Sequence, residues 1–289
     1  MNGQYRRAQS AMEYLMTYGW AILIIAVVLG ALYSLGVFNG ISFAPKASAG
    51  SCQVFRPSGP GTTTNINLEG ECQGLMPQYV AQFNGQNSII NIPSNLPAFS
   101  QWTISGWVYV KPITTTEWGS TARGISTGYG VLWGGVSGST FRPFFDAGGA
   151  GYAALNNVPT GQWVMLVFSY NGVAVSGYGY TSSHVYTATQ SASLSTIPTQ
   201  TWQLGAWGTT DGSLNGSLAN VQVYNTSFDA NQVAALYQEG IGGAPITIQN
   251  LIGWWPLNGN ANDYSGNNNN GQSTNVIYTG SWTNGYTAP

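Results

Sequence analysis

The sequence predicts a mainly β protein in which a long hydrophobic N-terminal α-helix precedes an antiparallel β-sandwich. Three observations favour this class. Between Glu13 and Lys46 the chain of 289 residues has no charged side chain and contains a long apolar run. Beyond residue 79, short apolar runs alternate with Gly, Asn, Pro and Ser, which is typical of antiparallel strands joined by turns. Charged residues make up 6% of the chain and aromatic residues 13%, so it is too apolar to be disordered.

The charge balance and the rarity of catalytic side chains exclude several functions. Seven basic and nine acidic residues give a net charge of −2, which is not the footprint of a nucleic-acid-binding protein. With one histidine, His184, and two cysteines, metal centres and catalytic triads are hard to build. No strand carries the alternating pair of acids that glycoside hydrolysis requires. We therefore expect no nucleic-acid partner and no enzymatic activity.

The first element is a helix predicted over Ala11–Val37. At ~1.5 Å per residue it is about 40 Å long, enough to span a bilayer, and it is apolar on all sides. Three kinds of processing are compatible with it. The helix is an uncleaved anchor, or a secretory signal cut after Ala49 in Ala47-Ser48-Ala49, or a segment preceded by a leader that is removed before it.

The residues before this helix favour the third alternative. Arg6-Arg7-Ala8-Gln9-Ser10-Ala11-Met12-Glu13-Tyr14-Leu15 combines a basic pair, a small residue, a glutamine and an acid four places on. This cluster resembles archaeal type IV pilins, which carry a class III signal peptide. The resemblance implies that residues 1–8 are a leader peptide, which prepilin peptidase removes between Ala8 and Gln9. Residues 9–40 are then the hydrophobic helix, which is inserted in the membrane before assembly.

The same resemblance implies a role for Glu13, which becomes the fifth residue after cleavage. A carboxylate in an apolar segment is costly unless it is paired. In pilins such a glutamate meets the amine of the new N-terminus, here Gln9, of a neighbouring helix. The protein would then be its own main partner, in a helical homopolymer. In the alternative, Glu13 lies at the headgroup boundary and has no role in assembly.

Residues 41–78 follow as a linker without periodicity. It contains Cys52 and Cys72, the two cysteines of the chain. Because an export signal lies upstream, we expect a disulfide between them. Closing a loop of this length contributes about 3 kcal/mol on the loop-entropy model. Two free thiols are the alternative.

Residues 79–289 are predicted to form the sandwich. Strands are expected at Trp102–Val110, Trp163–Tyr170, Gly172–Val175, Thr201–Ala206 and Ser217–Tyr224. Asn171-Gly172 predicts a hairpin turn between the second and third of them. One helix is predicted over Ala230–Glu239, with Asp229 and Gln232 forming a capping box and Gly240 ending the helix.

Several phrases of this segment carry a second resemblance. They are Phe83-Asn84-Gly85, Thr103-Ile104-Ser105-Gly106-Trp107, Leu214-Asn215-Gly216-Ser217-Leu218 and Trp255-Pro256-Leu257 with Asp263-Tyr264-Ser265-Gly266. Together they are similar to the laminin-G-like or concanavalin A-like jelly roll. In that family the Trp-Pro-Leu phrase opens the domain, whereas here it comes last. Three arrangements of residues 251–289 are compatible with this order. They occupy the place of the first strand in their own domain, as in a circular permutation, or they complete the sandwich of a neighbouring subunit. Alternatively, they begin a truncated second repeat.

The resemblance also suggests ligands. Calcium is the characteristic ion of this family, and Asp263 is the best candidate ligand, with an Asx-type turn as the alternative. Aromatic side chains in or near glycine-rich loops are candidates for glycan binding. They are Trp118, Tyr129, Trp133, Tyr178, Tyr180 and Trp207. Asn215, expected in a turn, and Asn225 begin glycosylation sequons.

These expectations combine into one function. The chain is predicted to be the structural subunit of an extracellular, archaeal type IV pilus-like filament, whose jelly-roll head is displayed for adhesion, including adhesion to surface glycans. The first alternative is an uncleaved, membrane-anchored, lectin-like protein of the cell surface. The second is a secreted hydrolase released after Ala49.

Overall fold

The computed structural model describes residues 18–30, 52–55, 63–66, 76–112, 119–124, 128–137, 139–206 and 212–289. Side chains are not described at residues 52–55, 63–66, 119–120, 124 and 132–137. The chain divides into two compact units, Met1–Ala47 and Ser48–Pro289.

The first unit contains one described helix, α1, at residues 18–30. Its large apolar side chains are exposed around the helix, for example Trp20 at 65% and Ile22 at 66%. The ends of the predicted helix, Ala11–Val37, lie outside the described residues. Among the described residues, no helix combines the length and apolar character of a membrane span.

The second unit is an antiparallel β-sandwich, as predicted. Its strands are β1 Cys52–Phe55, β2 Thr63–Ile66, β3 Val80–Asn84, β4 Ile89–Leu96, β5 Trp102–Val110, β6 Gly119–Gly124, β7 Gly130–Ser137, β8 Thr140–Ala147, β9 Ala150–Tyr152, β10 Val158–Pro159, β11 Trp163–Tyr170, β12 Ala174–Tyr180, β13 Val185–Ser191, β14 Gln200–Leu204, β15 Asn215–Tyr224, β16 Leu251–Trp255, β17 Gln272–Thr274 and β18 Ile277–Thr279. The helix α2, Ala230–Gln238, lies between β15 and β16.

The strands form two eight-stranded sheets and one small pair, β1–β2. Sheet I has the order β13-β12-β11-β5-β15-β3-β18, and β16 also pairs with β15. Sheet II has the order β10-β8-β7-β6-β14-β4-β17, and β9 also pairs with β8. The facing sides of the two sheets enclose the main core, which contains Trp102, Trp202, Trp255 and Phe145.

Sheet I is covered on its outer face as well. A second apolar cluster there joins Trp107 and Met165 of the sheet to Val233 and Leu236 of α2. This explains why every residue of β11 is buried although the strand belongs to an antiparallel sheet.

The sequence located the central strands well. β5 and β11 have the predicted bounds, because each is a long run of β-branched and aromatic residues. The predicted hairpin turn between β11 and β12 is also confirmed. Gly172 has a φ of 98°, and Asn171 Oδ1 accepts hydrogen bonds from the backbone N–H groups of Val173 and Ala174.

The predicted capping box of α2 is confirmed. Asp229 Oδ1 accepts a hydrogen bond from the Gln232 backbone N–H at 2.9 Å, and Gln232 Oε1 accepts one from the Asp229 N–H at 3.0 Å. Gly240, with a φ of 77°, follows the C-cap residue Glu239. These interactions are local in sequence, which is why the sequence alone located them.

A substitution at Glu239 should stabilise the protein at neutral pH. Glu239 is half-buried at the C-terminus of α2, where the helix dipole disfavours negative charge, and burial raises its pKa. A raised carboxyl pKa means that the folded state loses stability as the pH rises through that pKa. We expect Glu239→Gln to raise the free energy of unfolding by about 0.3–1 kcal/mol at pH 7, with no difference below about pH 4. Denaturant titrations at both pH values measure this, and an equal gain at both would contradict it.

The C-terminal segment pairs within its own chain and completes both sheets. β16 pairs with β15, β17 with β4 and β18 with β3. β3 and β16 follow one another along the same edge of β15, since β3 pairs with Asn215–Leu218 and β16 with Val221–Tyr224. Residues 251–289 thus pack in their own domain in this structure, and circular permutation of the family's strand order stays a prediction.

Candidate functional site

A row of polar residues crosses the outer face of sheet II. Cross-strand pairs run continuously from β17 to β8. The residues in register, in spatial order, are Gln272, Asn91, Gln203, Arg123, Gly130 and Asp146. Directly opposed residues of antiparallel strands project from the same face. We call this set the polar row.

The flanking residues establish which face this is. Ile90 and Ile92 flank Asn91, and Trp202 and Leu204 flank Gln203, and all four are buried in the core between the sheets. Because side chains alternate along a strand, the polar row points away from that core. Five strand spacings of ~4.8 Å separate Gln272 from Asp146, so the row is about 24 Å long.

An ion pair lies at one end of the polar row. Arg123 Nη2 is 4.0 Å from Asp146 Oδ2, and the two side chains are 16% and 7% exposed. Between them stands Gly130, where a Cβ would lie 2.7 Å from the Arg123 Cα. Any larger residue at this position would collide with β6, so the glycine allows Arg123 and Asp146 to approach across β7.

A backbone hydrogen bond and the burial of the ion pair affect the ionisation of both side chains. Asp146 Oδ1 accepts a hydrogen bond from the Gly149 backbone N–H at 2.8 Å. Burial raises the pKa of Asp146, and this hydrogen bond and the charge of Arg123 oppose the rise. Burial lowers the pKa of Arg123, and the carboxylate of Asp146 opposes that change. The two groups therefore stabilise each other's charged forms in a partly desolvated place.

The other half of the polar row is neutral. Gln203 Nε2 donates a hydrogen bond to Asn91 Oδ1 at 3.1 Å. Gln203 is 5% exposed, Asn91 is half-buried and Gln272 is exposed. The row thus has a buried centre and an exposed end, and the amide groups of Asn91 and Gln203 are fixed by their contact with each other.

One aromatic side chain lies beside the row. Phe144 is two residues from Asp146 on β8 and is half-buried. Its ring lies close to Gly151 of β9, where a Cβ would come within 2.9 Å of Phe144 Cδ2. The same face of the sheet therefore presents charged, amide and aromatic groups together.

Comparison with known proteins identifies the domain that carries this face. A laminin G family model, described as the concanavalin A-like lectin/glucanases superfamily, matches residues 84–234, more than half of the chain. The chain belongs to the concanavalin A-like superfamily. No curated protein matches the sequence.

One solved structure shares this fold, and two others are similar at lower TM-scores. A protein from Bacteroides ovatus, named as a candidate carbohydrate-binding protein, matches with a TM-score of 0.53 and 14% identity over 76% of this chain and 64% of its own. The present chain thus spans about two thirds of that protein, and the likeness concerns the fold alone. A heptameric SAP-like pentraxin from Limulus polyphemus matches with a TM-score of 0.45 and 16% identity, over 55% of this chain and 81% of its own. Domain 4 of an extracellular arabinanase from Geobacillus stearothermophilus matches with a TM-score of 0.39 and 21% identity, over 56% of this chain and 82% of its own.

The aromatic residues predicted to bind glycans are not gathered in one place of the concanavalin A-like domain. Tyr129 is half-buried beside sheet II, and its hydroxyl lies 2.9 Å from Ser195 Oγ. Tyr178 and Tyr180 belong to β12 of sheet I, and Tyr180 is buried and stacks on Tyr237 of α2 at 4.9 Å. The side chains of Trp118, Trp133 and Trp207 lie outside those that the structure describes.

The carboxylate of Asp263 is engaged by the concanavalin A-like domain itself. Oδ1 accepts hydrogen bonds from the backbone N–H groups of Trp254 at 3.0 Å and Ser265 at 2.8 Å. Oδ2 accepts from the Asn269 backbone N–H at 2.8 Å and from Ser265 Oγ at 2.9 Å. Ser265 is two residues further on, so the Asx-type contact is present. Calcium binding by Asp263 stays a prediction.

The remaining predicted sites are placed only in part. Ala8, Gln9, Glu13 and Cys72 lie outside the described residues, and so does the side chain of Cys52 on β1.

The two sequons differ in their exposure. Asn215 is the first residue of β15 rather than part of a turn and is half-buried, whereas Asn225 is exposed after the end of that strand. Asn225 is therefore the more accessible acceptor of the two. Glycosylation at either residue stays a prediction.

The sequence analysis missed the polar row, although part of its signal is present in the sequence. Ile90-Asn91-Ile92 and Trp202-Gln203-Leu204 each place an amide between two large apolar residues. Such alternation predicts that the amide lies on the face opposite to the core. It does not predict that the two amides are neighbours, because their strands are more than 100 residues apart in the chain.

Proposed function

We propose that the concanavalin A-like domain binds an oligosaccharide along the polar row of sheet II. The observation that carries the proposal is the register that aligns Gln272, Asn91, Gln203, Arg123 and Asp146 on one outer face. Amide, guanidinium and carboxylate groups supply both donors and acceptors, which is what the adjacent hydroxyl groups of a sugar ring need.

The length and rigidity of the row favour an extended ligand. The accessible members of the row, Gln272, Asn91 and Arg123, extend over three strand spacings, about 14 Å, which is enough to contact more than one sugar unit. Gln203 and Asp146 are 5% and 7% exposed and act by fixing Asn91 and Arg123. Its side chains are held by Gln203–Asn91, Arg123–Asp146 and Gly149–Asp146 contacts. Groups fixed before binding lose little conformational entropy when the ligand arrives. Phe144 adds an apolar surface on which a sugar ring can pack.

The comparisons support this class of ligand. The superfamily is described by its lectins and glucanases, and the Bacteroides ovatus protein is named as a candidate carbohydrate-binding protein. A lectin-like fold is also compatible with an extracellular location. We infer binding without turnover, because the row contains one carboxylate, Asp146, whereas glycoside hydrolysis in general uses two.

A glycan array followed by calorimetry tests the proposal on the full chain. The oligosaccharide that gives the strongest array signal is titrated into the wild type and into Asn91→Ala and Gln203→Ala. We expect each substitution to weaken binding about ten-fold, since each removes a fixed hydrogen-bonding group. Gln249→Ala, which truncates an exposed glutamine of a loop, is the matched control.

Two results would overturn the proposal. One is wild-type affinity in both Asn91→Ala and Gln203→Ala, which would place the glycan elsewhere. The other is the absence of any array signal from the folded wild type. Release of shorter sugars from the bound oligosaccharide would contradict the inference of binding without turnover.

The second candidate function is that of a pilus-like filament subunit. It is favoured by the exposure of the apolar side chains of α1, such as Trp20, Ile22 and Ile24. A helix that is apolar on all sides is stable when apolar partners surround it. We propose that these partners are lipid before assembly and copies of the same helix in the filament, after prepilin peptidase has cut the leader.

The N-terminal peptide of the native protein tests this second function by mass spectrometry. A start at Gln9 is the expected result. A start at Met1 would favour the uncleaved, membrane-anchored alternative and overturn the filament. A start at Gly50 would mean a secreted protein and exclude assembly through α1.

A further inference from the structure

A cavity of about 180 Å³ opens on the outer face of sheet I, the sheet opposite to the polar row. Its floor is another cross-strand row, Gln82–Ser217–Tyr109–Trp163, contributed by β3, β15, β5 and β11. A cavity of ~150 Å³ accommodates a benzene molecule. This one is therefore large enough for a single six-membered ring.

The C-terminal segment forms one wall of the cavity and is held there by specific contacts. Trp282 Nε1 donates a hydrogen bond to the Pro77 carbonyl at 3.1 Å, and Trp163 Nε1 donates to the Trp282 carbonyl at 2.9 Å. The Trp163 backbone N–H donates to the Gly285 carbonyl at 2.9 Å. The rings of Trp163 and Trp282 meet edge to face at 6.0 Å. The cavity wall is thus fixed by the fold and does not depend on a ligand.

The cavity is lined by aromatic, neutral polar and basic side chains. Tyr109, Trp163 and Trp282 provide aromatic surface, and Gln82, Ser217 and Asn284 provide neutral polar groups. Lys111 is the one charged side chain among the described lining residues. It lies two positions after Tyr109 and follows the end of β5, so it belongs to the same face of the sheet.

We propose that this cavity binds a single acidic sugar, with Lys111 paired to its carboxylate. The neutral polar groups of the lining match the hydroxyl groups of a pyranose ring, and the aromatic edges match its C–H surface. An aromatic carboxylate of the same size would leave these polar groups without partners, which is costly in a partly desolvated site. A neutral sugar would leave the ammonium group of Lys111 without a counter-charge in the complex.

Titration of the full chain with D-glucuronate, observed by calorimetry and by NMR of the tryptophan indole N–H groups, tests the proposal. We expect D-glucuronate to bind at least about ten-fold more tightly than D-glucose, and benzoate to bind no more tightly than D-glucose. The indole signals of Trp163 and Trp282 should shift on addition of D-glucuronate. Single Trp→Phe variants assign these signals.

Charge-removing variants separate this cavity from the polar row. Lys111→Gln should weaken D-glucuronate binding about ten-fold or more and leave D-glucose binding unchanged. Arg142→Gln removes the same charge from an exposed residue of sheet II that hydrogen-bonds Asn156 Oδ1, and it should bind D-glucuronate like the wild type.

Three results would overturn the proposal. They are no binding of D-glucuronate by the wild type at millimolar concentration, full binding by Lys111→Gln, and a loss confined to Arg123→Gln. A loss of binding in Arg123→Gln alone would mean that D-glucuronate binds at the polar row. Since the two sites lie on different sheets, failure of either one leaves the evidence for the other intact.

Discussion

Replacing Trp255 by alanine is expected to lower the free energy of unfolding of the sandwich by about 3–5 kcal/mol. Trp255 ends β16, is completely buried between the sheets, and donates a hydrogen bond from Nε1 to the Asn269 carbonyl at 2.9 Å. Its ring lies against Gly253, where a Cβ would come within 2.1 Å of Trp255 Cη2. The substitution therefore removes apolar contacts, opens a cavity and leaves a carbonyl group without its donor.

Thermal unfolding measures this effect. At ~2–4 °C per kcal/mol for a domain of this size, the midpoint should fall by about 6–20 °C. Ile277→Ala, which truncates a side chain that is 64% exposed on β18, is the control and should change the midpoint little. A change of less than about 2 °C in Trp255→Ala would contradict the role of the C-terminal segment in the core of its own chain.

Replacing Asp263 by alanine is expected to cost about 3–5 kcal/mol of unfolding free energy. Four hydrogen bonds end on its carboxylate, and three of the donors are backbone N–H groups, those of Trp254, Ser265 and Asn269. Asp263 is 5% exposed, so water cannot fully replace the lost acceptor. Because the donor of Trp254 belongs to β16, the loss should loosen the attachment of that strand to the following loop.

Two further variants distinguish the effect of the negative charge of Asp263 from the effect of its side-chain shape. Asp263→Asn keeps one acceptor oxygen and should cost about half as much as Asp263→Ala. Asn262→Ala changes the exposed neighbouring side chain and serves as the control. Denaturant titration gives the values, and equal stability of Asp263→Ala and the wild type would contradict the argument.

The same variants test the calcium prediction. If calcium is held at Asp263, a chelator lowers the unfolding midpoint of the wild type and leaves that of Asp263→Ala unchanged. If the chelator does not change the unfolding midpoint of the wild type, Asp263 binds no calcium. Its carboxylate then accepts hydrogen bonds only from groups of the protein itself.

The accuracy of the sequence-based predictions followed the range of the interactions concerned. β5, β11 and the hairpin turn at Asn171-Gly172 were predicted because their signals lie within a few residues. The capping box joins Asp229 and Gln232, which are three positions apart, and was predicted for the same reason. The candidate glycan-binding aromatics lie in or near glycine-rich loops, a criterion that does not predict burial, and glycan binding by them stays a prediction. Tyr180, one of them, lies beneath α2.

The sequence by itself determined the fold class, the central strands and the start of α2, because alternation, turn chemistry and capping are local. The concanavalin A-like family was indicated by the resemblance of several phrases of the sequence, and the family model confirmed it. Only the tertiary structure decided which polar residues meet. Asn91 and Gln203 are 112 positions apart, yet they share a hydrogen bond. Arg123 reaches Asp146 because register places Gly130 between them. Strand order and register come from packing two sheets around one core, so neither the polar row nor the cavity beside Lys111 is encoded in any single stretch of the chain.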